Sequence, residues 1–330
     1  MPEQWEIYRA SRLPHDGITR LPEPPPWRRF SGKPPLPPPE PMTDDADIAR
    51  ATTYRPRSRT VQQVNAALYL RRPLLVTGPP GTGKTSLAYA VSYELSLGPV
   101  LRWSVSSQTT LRDGLYTYDP LGRLRAAGDQ AGQDPDRAEE IGRFLRLGPL
   151  GTALLPCDVP RVLLIDELDK SNLDMPNDLL SIFEEGCYEI PELVRASTRK
   201  AEVLDASGSR RVPIVDGRVS CRSFPLVIMT SNGEREFPPA FLRRCISVDL
   251  GQPTKEELAE IVAAHLPDMV TRSDDIIQRF LTRRSSGELA TDQLLNAIYL
   301  TNVTGAEDRA ALAADMMPYL SPGFPDDPEY

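Results

Sequence analysis

The sequence is poor in several residue types on which whole classes of protein depend. Only two histidines occur among its 330 residues, so a histidine-based metal centre or catalytic triad is not expected. The four cysteines are widely spaced and form no CxxC pair, which favours buried thiols over disulfides or a zinc site. No apolar run approaches about 18 residues, and the first residues lack a signal-peptide pattern. These absences predict a cytoplasmic protein without a membrane partner.

Positive charge is also scarce relative to negative charge. With 38 Lys and Arg residues against 46 Asp and Glu residues, the formal net charge is −8. Proteins that coat nucleic acids neutralise phosphates with an excess of basic residues. The balance therefore argues against a nucleic-acid partner, while the length of 330 residues allows two domains with a sizeable core.

Proline, by contrast, is concentrated near the N-terminus, where 12 of the 34 prolines fall within the first 41 positions. Such a tract cannot form helices or sheet ladders and favours polyproline II or disorder. Residues 1–50 are therefore predicted to form a flexible, Pro-rich arm. Its two aromatic and basic segments, WEIYR at 5–9 and WRRF at 27–30, leave three alternatives open: docking on a neighbouring subunit, binding another protein, or packing on the chain's own surface.

The segment PLLVTGPPGTGKT, residues 73–85, carries the strongest motif in the chain. Its apolar start predicts a buried parallel strand, the next eight residues match the P-loop pattern GxxxxGKT, and residues 86–95 predict a helix. In this arrangement the loop N–H groups point at phosphate oxygens, and the helix N-terminus adds a partial positive charge. The chain is therefore predicted to bind a nucleoside triphosphate.

Individual roles follow from the same pattern. Lys84 is expected to reach the β- and γ-phosphates, and the Thr85 hydroxyl is expected to bind Mg²⁺. The predicted nucleotide-binding residues of the loop are Gly78, Pro79, Pro80, Gly81, Thr82, Gly83, Lys84, Thr85 and Ser86.

Apolar runs of strand length alternate with helical patterns up to residue 250, which implies a parallel α/β sheet. Between them, Asp216-Gly217 separates two short apolar runs and predicts a two-residue hairpin, with Pro213 placing its first strand at a sheet edge. Besides the P-loop strand, the predicted strands of the parallel sheet cover residues 100–105, 161–167, 224–229 and 246–250.

After residue 250 the pattern becomes helical. Thr254 and Glu257 form a capping-box pattern at the start of the first predicted helix. The predicted helices cover residues 255–265, 272–284 and 290–302. Residues 321–330, with three prolines and three acidic residues, are predicted to be an acidic tail.

Two acidic residues end the strand at 161–167. The run LLIDE is a Walker B pattern, in which Asp166 would hold Mg²⁺ directly or through water. Glu167 can polarise an attacking water, which favours hydrolysis over transfer to a bound acceptor. A positioned base of this kind contributes about 10²–10⁴ in rate.

Asn232 follows the strand at 224–229. Because the carboxyl ends of parallel strands line the ligand crevice, its amide is expected to orient water between Glu167 and the γ-phosphate. Arg243 and Arg244 precede the last strand. An arginine supplied by a neighbouring subunit to the γ-phosphate contributes about 10³–10⁵ in rate. Which of the two arginines acts in this way is left open.

The order of the motifs GPPGTGKT, LLIDELDK, IMTSN and FLRRC, followed by a helical region, resembles the AAA+ ATPases. Within that family, LGPLGTALLP, DLLSIFEEG and VPIVDGRVSCRSFPLVIMTSN are similar to the MoxR group. The resemblance covers residues 51–302. It implies a five-stranded αβα nucleotide domain over 51–250, followed by a helical lid over 251–320. It also implies a ring, usually a hexamer, that binds ATP between subunits and remodels partner proteins, often ones with von Willebrand A domains.

The resemblance also assigns roles to single residues. Lys84 and Thr85 match Walker A, Asp166 and Glu167 match Walker B, Asn232 matches sensor 1, and Arg244 matches the arginine finger. In MoxR-like chains Asp-Arg is common at the finger, so Arg243 stands where an Asp is usual.

Sensor 2, an arginine early in a lid helix, is replaced here. Gln293 lies near that position and can hydrogen-bond phosphate without supplying charge. Arg283 or Arg284 of the preceding helix is the alternative source of a lid cation.

The sequence therefore predicts a ring-forming ATPase that uses ATP and Mg²⁺ and acts on a client protein. Two other functions remain open: a slow regulatory ATP switch that signals through the Pro-rich arm, and a nucleic-acid motor. The chain has no Asn-Lys-x-Asp motif for reading guanine, which favours ATP over GTP.

Overall fold

The computed structural model describes residues 5–129, 141–196, 199–284, 289–304 and 309–320. Its strands are β1 (Leu74–Thr77), β2 (Leu101–Ser104), β3 (Tyr116–Tyr118), β4 (Leu145–Leu147), β5 (Val162–Asp166), β6 (Cys187–Glu189), β7 (Lys200–Leu204), β8 (Arg211–Val215), β9 (Arg218–Ser220), β10 (Leu226–Ser231) and β11 (Ile246–Asp249). Its α-helices are α1 (Asp45–Thr53), α2 (Ser58–Leu70), α3 (Lys84–Glu94), α4 (Leu111–Leu115), α5 (Pro120–Asp129), α6 (Pro149–Ala153), α7 (Met175–Glu185), α8 (Pro191–Val194), α9 (Pro239–Leu242), α10 (Lys255–His265), α11 (Asp274–Arg284), α12 (Thr291–Thr304) and α13 (Arg309–Asp315). The predicted tail, 321–330, lies outside the described residues.

Five strands form a central parallel sheet in the order β11–β1–β10–β5–β2. Because β5 and β10 are buried along their whole length, their sequences are continuous apolar runs. Successive residues face opposite helical layers, with Leu164 packing in the cluster that contains Leu87 of α3 and Leu163 in the cluster that contains Phe183 of α7. All five predicted strands are present, and the predicted αβα parallel-sheet fold is confirmed.

The carboxyl ends of the central strands meet at one edge of this sheet. Thr77 at the end of β1 is opposite Ser231 of β10, and Asp166 at the end of β5 is opposite Ser104 of β2. The P-loop, Glu167 and Asn232 all follow these strand ends. The edge therefore brings together three segments that are far apart in the sequence.

A second sheet, in the order β3–β4–β7–β8–β9–β6, contains the predicted hairpin. Asp216 and Gly217 have φ values of 51° and 68°, as a two-residue turn of this type requires. The prediction that β8 is an edge strand is wrong, because β7 pairs with it over its full length. The Asp216 N–H donates to the Arg199 carbonyl, so every second N–H along this strand points towards β7. Pro213 is three residues away and belongs to the other set, which points towards β9. The N–H that proline lacks is not needed there, because β8 and β9 pair at Val215 and Arg218.

The C-terminal helices form around an apolar cluster of their own. Thr254 caps α10, since its hydroxyl accepts the Glu257 N–H at 3.3 Å and its N–H donates to the Glu257 carboxylate at 2.8 Å. The predicted capping box and the three predicted helices are confirmed, with α13 in addition. The largest buried members of the cluster are Leu258, Val262, Ile277, Phe280, Leu294, Ile298 and Met317.

The N-terminal segment differs most from the sequence expectation. Residues 5–43 lie along the nucleotide domain, and α1 crosses the predicted domain boundary at residue 50. Ile7 and Tyr8 are each only 1% exposed. The prediction of a flexible, disordered arm is therefore wrong for residues 5–50, and of the three alternatives the structure shows packing on the chain's own surface.

Two buried polar side chains hold the first part of this segment. Asn65 of α2 accepts the N–H groups of Ile7 at 2.7 Å and Tyr8 at 3.0 Å, and donates to the Tyr8 carbonyl at 2.7 Å. Glu94 of α3, which is 1% exposed, accepts the N–H of Arg9 at 2.6 Å. These bonds give the backbone of residues 7–9 the partners that a helix or sheet would otherwise supply.

The second aromatic and basic segment is also docked. The Arg28 guanidinium donates to the carbonyls of Arg71 and Phe183, each at 2.7 Å, and lies 4.3 Å from the centre of the Phe224 ring. Phe30 stacks on the same ring at 5.6 Å. A cation between backbone carbonyls and an aromatic face is well satisfied, so this part of the arm has a defined position.

Replacing Asn65 with alanine is expected to release the start of the arm. The change leaves two N–H groups and one carbonyl without their partner, at about 1–3 kcal/mol for each group that stays buried. We expect the free energy of unfolding to fall by about 2–4 kcal/mol, since part of the cost is relieved when the segment detaches into water. Denaturant unfolding measures the loss of stability, and limited proteolysis within residues 5–44 measures the release of the arm.

The matched control is Gln62→Ala, which removes an exposed amide from the same helix. It should change the free energy of unfolding by no more than about 0.5 kcal/mol and leave the protease sensitivity of residues 5–44 unchanged. Equal protease sensitivity of Asn65→Ala and the wild-type protein would show that Asn65 does not hold the arm.

The four cysteines are buried free thiols, as the sequence predicts. Burial raises the pKa of Cys221 and Cys245 to about 12, so both are protonated at neutral pH. Separately, none of the helices in the described ranges combines the length and apolar composition needed to cross a bilayer.

Candidate functional site

The loop between β1 and α3 forms one wall of a cleft of about 670 Å³, which is called the P-loop cleft below. All of residues 80–86 line it. Gly81 has a φ of 74°, and a Cβ there would lie 2.6 Å from the Thr291 nitrogen. Both the backbone conformation and the close approach of α12 therefore require glycine at this position.

Lys84 is the first residue of α3 and is only 8% exposed. Its Nζ donates to the carbonyl oxygens of Gly78 at 2.7 Å and Pro79 at 2.8 Å, so these two residues contact the lysine and do not line the cleft. Burial lowers the pKa of Lys84, and the nearby carboxylates, first Asp169 and then Asp166, oppose that shift. The lysine is therefore a largely desolvated cation beside acidic groups, where an anionic phosphate would interact with it strongly.

Asp166 lies at the end of β5 and is 6% exposed. Its Oδ1 accepts hydrogen bonds from the Thr85 hydroxyl at 3.1 Å and the Thr230 hydroxyl at 2.7 Å, and its Oδ2 accepts one from Arg102 at 2.7 Å. The structure thus brings together the two predicted Mg²⁺ ligands, Thr85 and Asp166. A hydroxyl and a carboxylate are the hard oxygen donors that Mg²⁺ prefers alongside water and phosphate, so the donor set fits this ion.

Glu167 has a left-handed backbone conformation, with φ 60° and ψ 47°. For a residue other than glycine this costs about 1–3 kcal/mol. The Thr230 hydroxyl accepts the Glu167 N–H at 2.8 Å and helps to hold the conformation. The side chain lines the cleft, where Oε1 bonds to Lys170 Nζ at 2.9 Å and nearly half of its surface is exposed to solvent. The strained turn thus places an accessible carboxylate directly beside the P-loop.

Asn232 lines the same cleft, one residue after β10. Its N–H and that of Glu234 both donate to Asp169 Oδ2, at 2.8 and 3.1 Å. Asp169 is 5% exposed, so it fixes the turn that carries Asn232 from a buried position. The sequence reasoning missed Asp169, although its place three residues after Asp166 in LLIDELDK was a signal.

The two candidate finger arginines lie outside the P-loop cleft. Arg244 is half-buried, donates to the Glu184 carboxylate and to the Ala240 carbonyl, and lines a second cavity of about 360 Å³. Arg243 is exposed. The structure therefore does not bring either arginine to the cleft of its own chain.

Gln293 is also not brought to the cleft. Its Oε1 accepts the Ala290 N–H at 2.8 Å and its Nε2 donates to the Pro318 carbonyl at 2.8 Å, so the amide caps the start of α12. Arg283 donates to the Met317 carbonyl, and Arg284 lies over the Phe280 ring. Among the described lid residues, those that line the cleft are Ile261, His265, Ala290, Thr291, Asp292, Leu295 and Leu320.

Those lining residues supply little positive charge from the lid. The pKa of His265 is lowered by its burial and by the nearby Arg55, so the imidazole is largely neutral at neutral pH. Thr291 and Asp292, in the first turn of α12, close the cleft above Gly81.

Sequence reasoning missed several other lining residues. Arg102 alternates with buried neighbours on β2, which marks it as pointing away from the core, but its contact with Asp166 depends on the pairing of β2 with β5. Thr230 lies two residues before Asn232 and holds both Walker B residues. Tyr54 packs its ring against Gly83, and only the three-dimensional structure indicates this.

Comparisons with known proteins identify one matching protein family. A family model described as "ATPase family associated with various cellular activities (AAA)" matches residues 74–252. No curated protein sequence matches the chain. Among solved structures, that of C. elegans PCH-2 is 14% identical, with a TM-score of 0.44, and the match covers 84% of this chain and 72% of that one. Because the family match spans more than half of the 330 residues and includes the P-loop, Asp166, Glu167 and Asn232, this protein belongs to the AAA family of ATPases.

Proposed function

We propose that this protein is an ATP-hydrolysing AAA+ ATPase of the MoxR-like type, which assembles into a hexameric ring and remodels or activates a partner protein. The observation that carries the proposal is the division of the site. Walker A, Walker B and Asn232 line one cleft, whereas Arg243 and Arg244 lie on another surface of the same chain. A neighbouring chain that turned its arginine surface to this cleft would complete the site.

The residues of the cleft have distinct roles in this proposal. The P-loop amides and Lys84 bind the phosphates of ATP, and Asn232 orients the attacking water. Glu167 takes a proton from that water as its oxygen bonds to the γ-phosphorus and the bond from this phosphorus to the bridging oxygen of ADP breaks. Thr85 and Asp166 hold Mg²⁺, which supplies positive charge against the phosphate oxygens when it is bound. An arginine of the next subunit stabilises the charge that develops on the transferred phosphoryl group.

The client is proposed from the MoxR resemblance alone. The client would be a protein, and in many MoxR systems such a client contains a von Willebrand A domain. We place the interaction in the cytoplasm. The formal net charge of −8 supports a protein client over a nucleic acid, because it gives the chain no general excess of phosphate-neutralising residues.

One observation favours a second candidate, a slow ATP switch. Gln293 is used as a helix cap, so the described lid residues bring no arginine to the cleft. A lid without that contact would respond less to the loss of the γ-phosphate. Tight nucleotide binding with slow, concentration-independent turnover would support this candidate.

ATP turnover and particle mass, measured together over a range of protein concentrations, test the leading proposal. We expect phosphate release per subunit to increase as monomers assemble, and ATP to promote the assembly, because each complete site needs two chains. Turnover that is the same per subunit for monomers and assemblies would exclude a shared site. Absence of hydrolysis at every concentration and with Mg²⁺ present would exclude the ATPase.

A further inference from the structure

Arg102 makes a contact in the P-loop cleft that the proposed reaction leaves unexplained. It lies on β2, its side chain is about half exposed, and its guanidinium donates to Asp166 Oδ2 at 2.7 Å. The other carboxylate oxygen of Asp166 is used by Thr85 and Thr230. An arginine therefore occupies the second carboxylate oxygen of Asp166, the residue that is expected to hold Mg²⁺.

Few positive charges lie near the Walker residues among the described side chains of the cleft. The described basic side chains that line the cleft are Arg55, Lys84, Arg102 and His265. Arg55 donates to the carbonyls of Thr52 and Tyr54. Besides Lys84, which belongs to Walker A itself, Arg102 is the one of these side chains that donates to a Walker carboxylate.

Asp166 cannot give Oδ2 fully to both a guanidinium and a cation. Mg²⁺ requires near-ideal octahedral geometry and repels a neighbouring positive charge. A guanidinium released from Asp166 would be a fork-shaped donor that matches phosphate oxygens well. Because Thr85 and Asp166 would hold Mg²⁺ against the phosphates of a bound nucleotide, the phosphate oxygens would lie within reach of the released side chain.

We propose that Arg102 leaves Asp166 when a nucleotide and Mg²⁺ bind and turns to the terminal phosphate of a nucleoside triphosphate. It then supplies from within the chain the positive charge that Gln293 does not supply from the lid. The same residue opposes Mg²⁺ binding before the triphosphate arrives, so the cleft favours Mg²⁺ with ATP over Mg²⁺ with ADP. The inference rests on the proposed nucleotide site and adds to it a residue that distinguishes ATP from ADP.

Binding measurements without turnover test this role. The variant is Arg102→Gln, and the probes are a non-hydrolysable ATP analogue and ADP, each titrated by calorimetry at saturating Mg²⁺. Because a charge-assisted hydrogen bond to the terminal phosphate is lost, we expect the dissociation constant of the ATP analogue to rise about 10-fold and that of ADP to rise less than about 3-fold. In a second titration with ADP bound, the Mg²⁺ concentration at half-saturation should fall, since its competitor at Asp166 is gone.

The two readouts move in opposite directions, which a purely structural role for Arg102 would not produce. Arg112→Gln is the matched control: Arg112 is about 58% exposed and also donates to a carboxylate at 2.7 Å, that of Glu192, outside the cleft. It should leave both titrations unchanged. Arg102→Lys should restore part of the preference for the ATP analogue, because lysine keeps the charge but loses the fork.

The possible failures are distinguishable. If the wild-type protein binds neither nucleotide, the proposed function is wrong. If the wild type binds both, and Arg102→Gln weakens ADP and the ATP analogue equally or leaves both unchanged, only the role of Arg102 is wrong. Thermal unfolding of the variant checks that the fold is retained, which we expect because Arg102 is about half exposed and the buried Asp166 keeps its bonds from Thr85 and Thr230.

Discussion

Replacing Glu167 with glutamine is expected to lower ATP turnover by about 10²–10⁴-fold, because an amide cannot take the proton from the attacking water. Nucleotide affinity should change little. The Glu167 side chain contacts Lys170 and faces the cleft, and its backbone conformation is held by Thr230 independently of the carboxylate. Single-turnover phosphate release and equilibrium nucleotide binding measure the two quantities separately.

Glu202→Gln provides the matched control, since Glu202 also forms a surface ion pair with a lysine, Lys200, at 3.4 Å but lies on β7 of the second sheet. This variant should keep wild-type turnover. If Glu167→Gln hydrolysed ATP as fast as Glu202→Gln, Glu167 would not be the base. If it lost nucleotide binding as well, its main role would be structural.

The parts of the fold that the sequence predicts well are those with a local cause. The central strands are fully buried and read as apolar runs, and the Asp216-Gly217 turn needs positive φ at both residues. The strands β3, β4 and β6 have three residues each, too few to show an alternating pattern. They were missed for that reason.

Other features depend on partners that are distant in the sequence. The arm is ordered because Asn65 and Glu94, more than 50 residues further along, satisfy its backbone. No local pattern in a Pro-rich tract indicates such partners. Gln293 shows the opposite effect, in which local chemistry prevails: at the third position of α12, its amide caps the helix and is no longer available to a phosphate.

The arginine surface carries the second large prediction. Replacing both Arg243 and Arg244 with alanine is expected to lower turnover of the assembled protein by about 10³–10⁵-fold, the contribution of an arginine supplied in trans. ATP binding by each chain should persist, because neither residue lines the cleft. The single variants then assign the role, and we expect Arg244→Ala to have the larger effect, since the sequence resemblance assigns the finger to Arg244.

Stability is not expected to account for the loss. Arg244 and Glu184 are both at least one-third exposed, and ion pairs of this kind contribute about 0–1 kcal/mol. Arg222→Ala removes a similar arginine from a pair with Asp158 elsewhere and serves as the control. It should keep full turnover. Wild-type turnover in the double arginine variant would exclude both residues as fingers.

Mixed assemblies separate a shared site from one completed within a single chain. Lys84→Ala damages the cleft but keeps the arginines, whereas the double arginine variant keeps the cleft and lacks them. In a ring, the cleft of each subunit faces the arginine surface of its neighbour. In a random equal mixture, half of the clefts and half of the arginine surfaces are intact, so about a quarter of the interfaces combine the two. Doubly tagged complexes, purified through both tags, should therefore recover activity that neither variant has alone. If such complexes contain both chains and remain inactive, the arginines do not act across the subunit interface, because every residue needed for a complete site would then be present at those contacts.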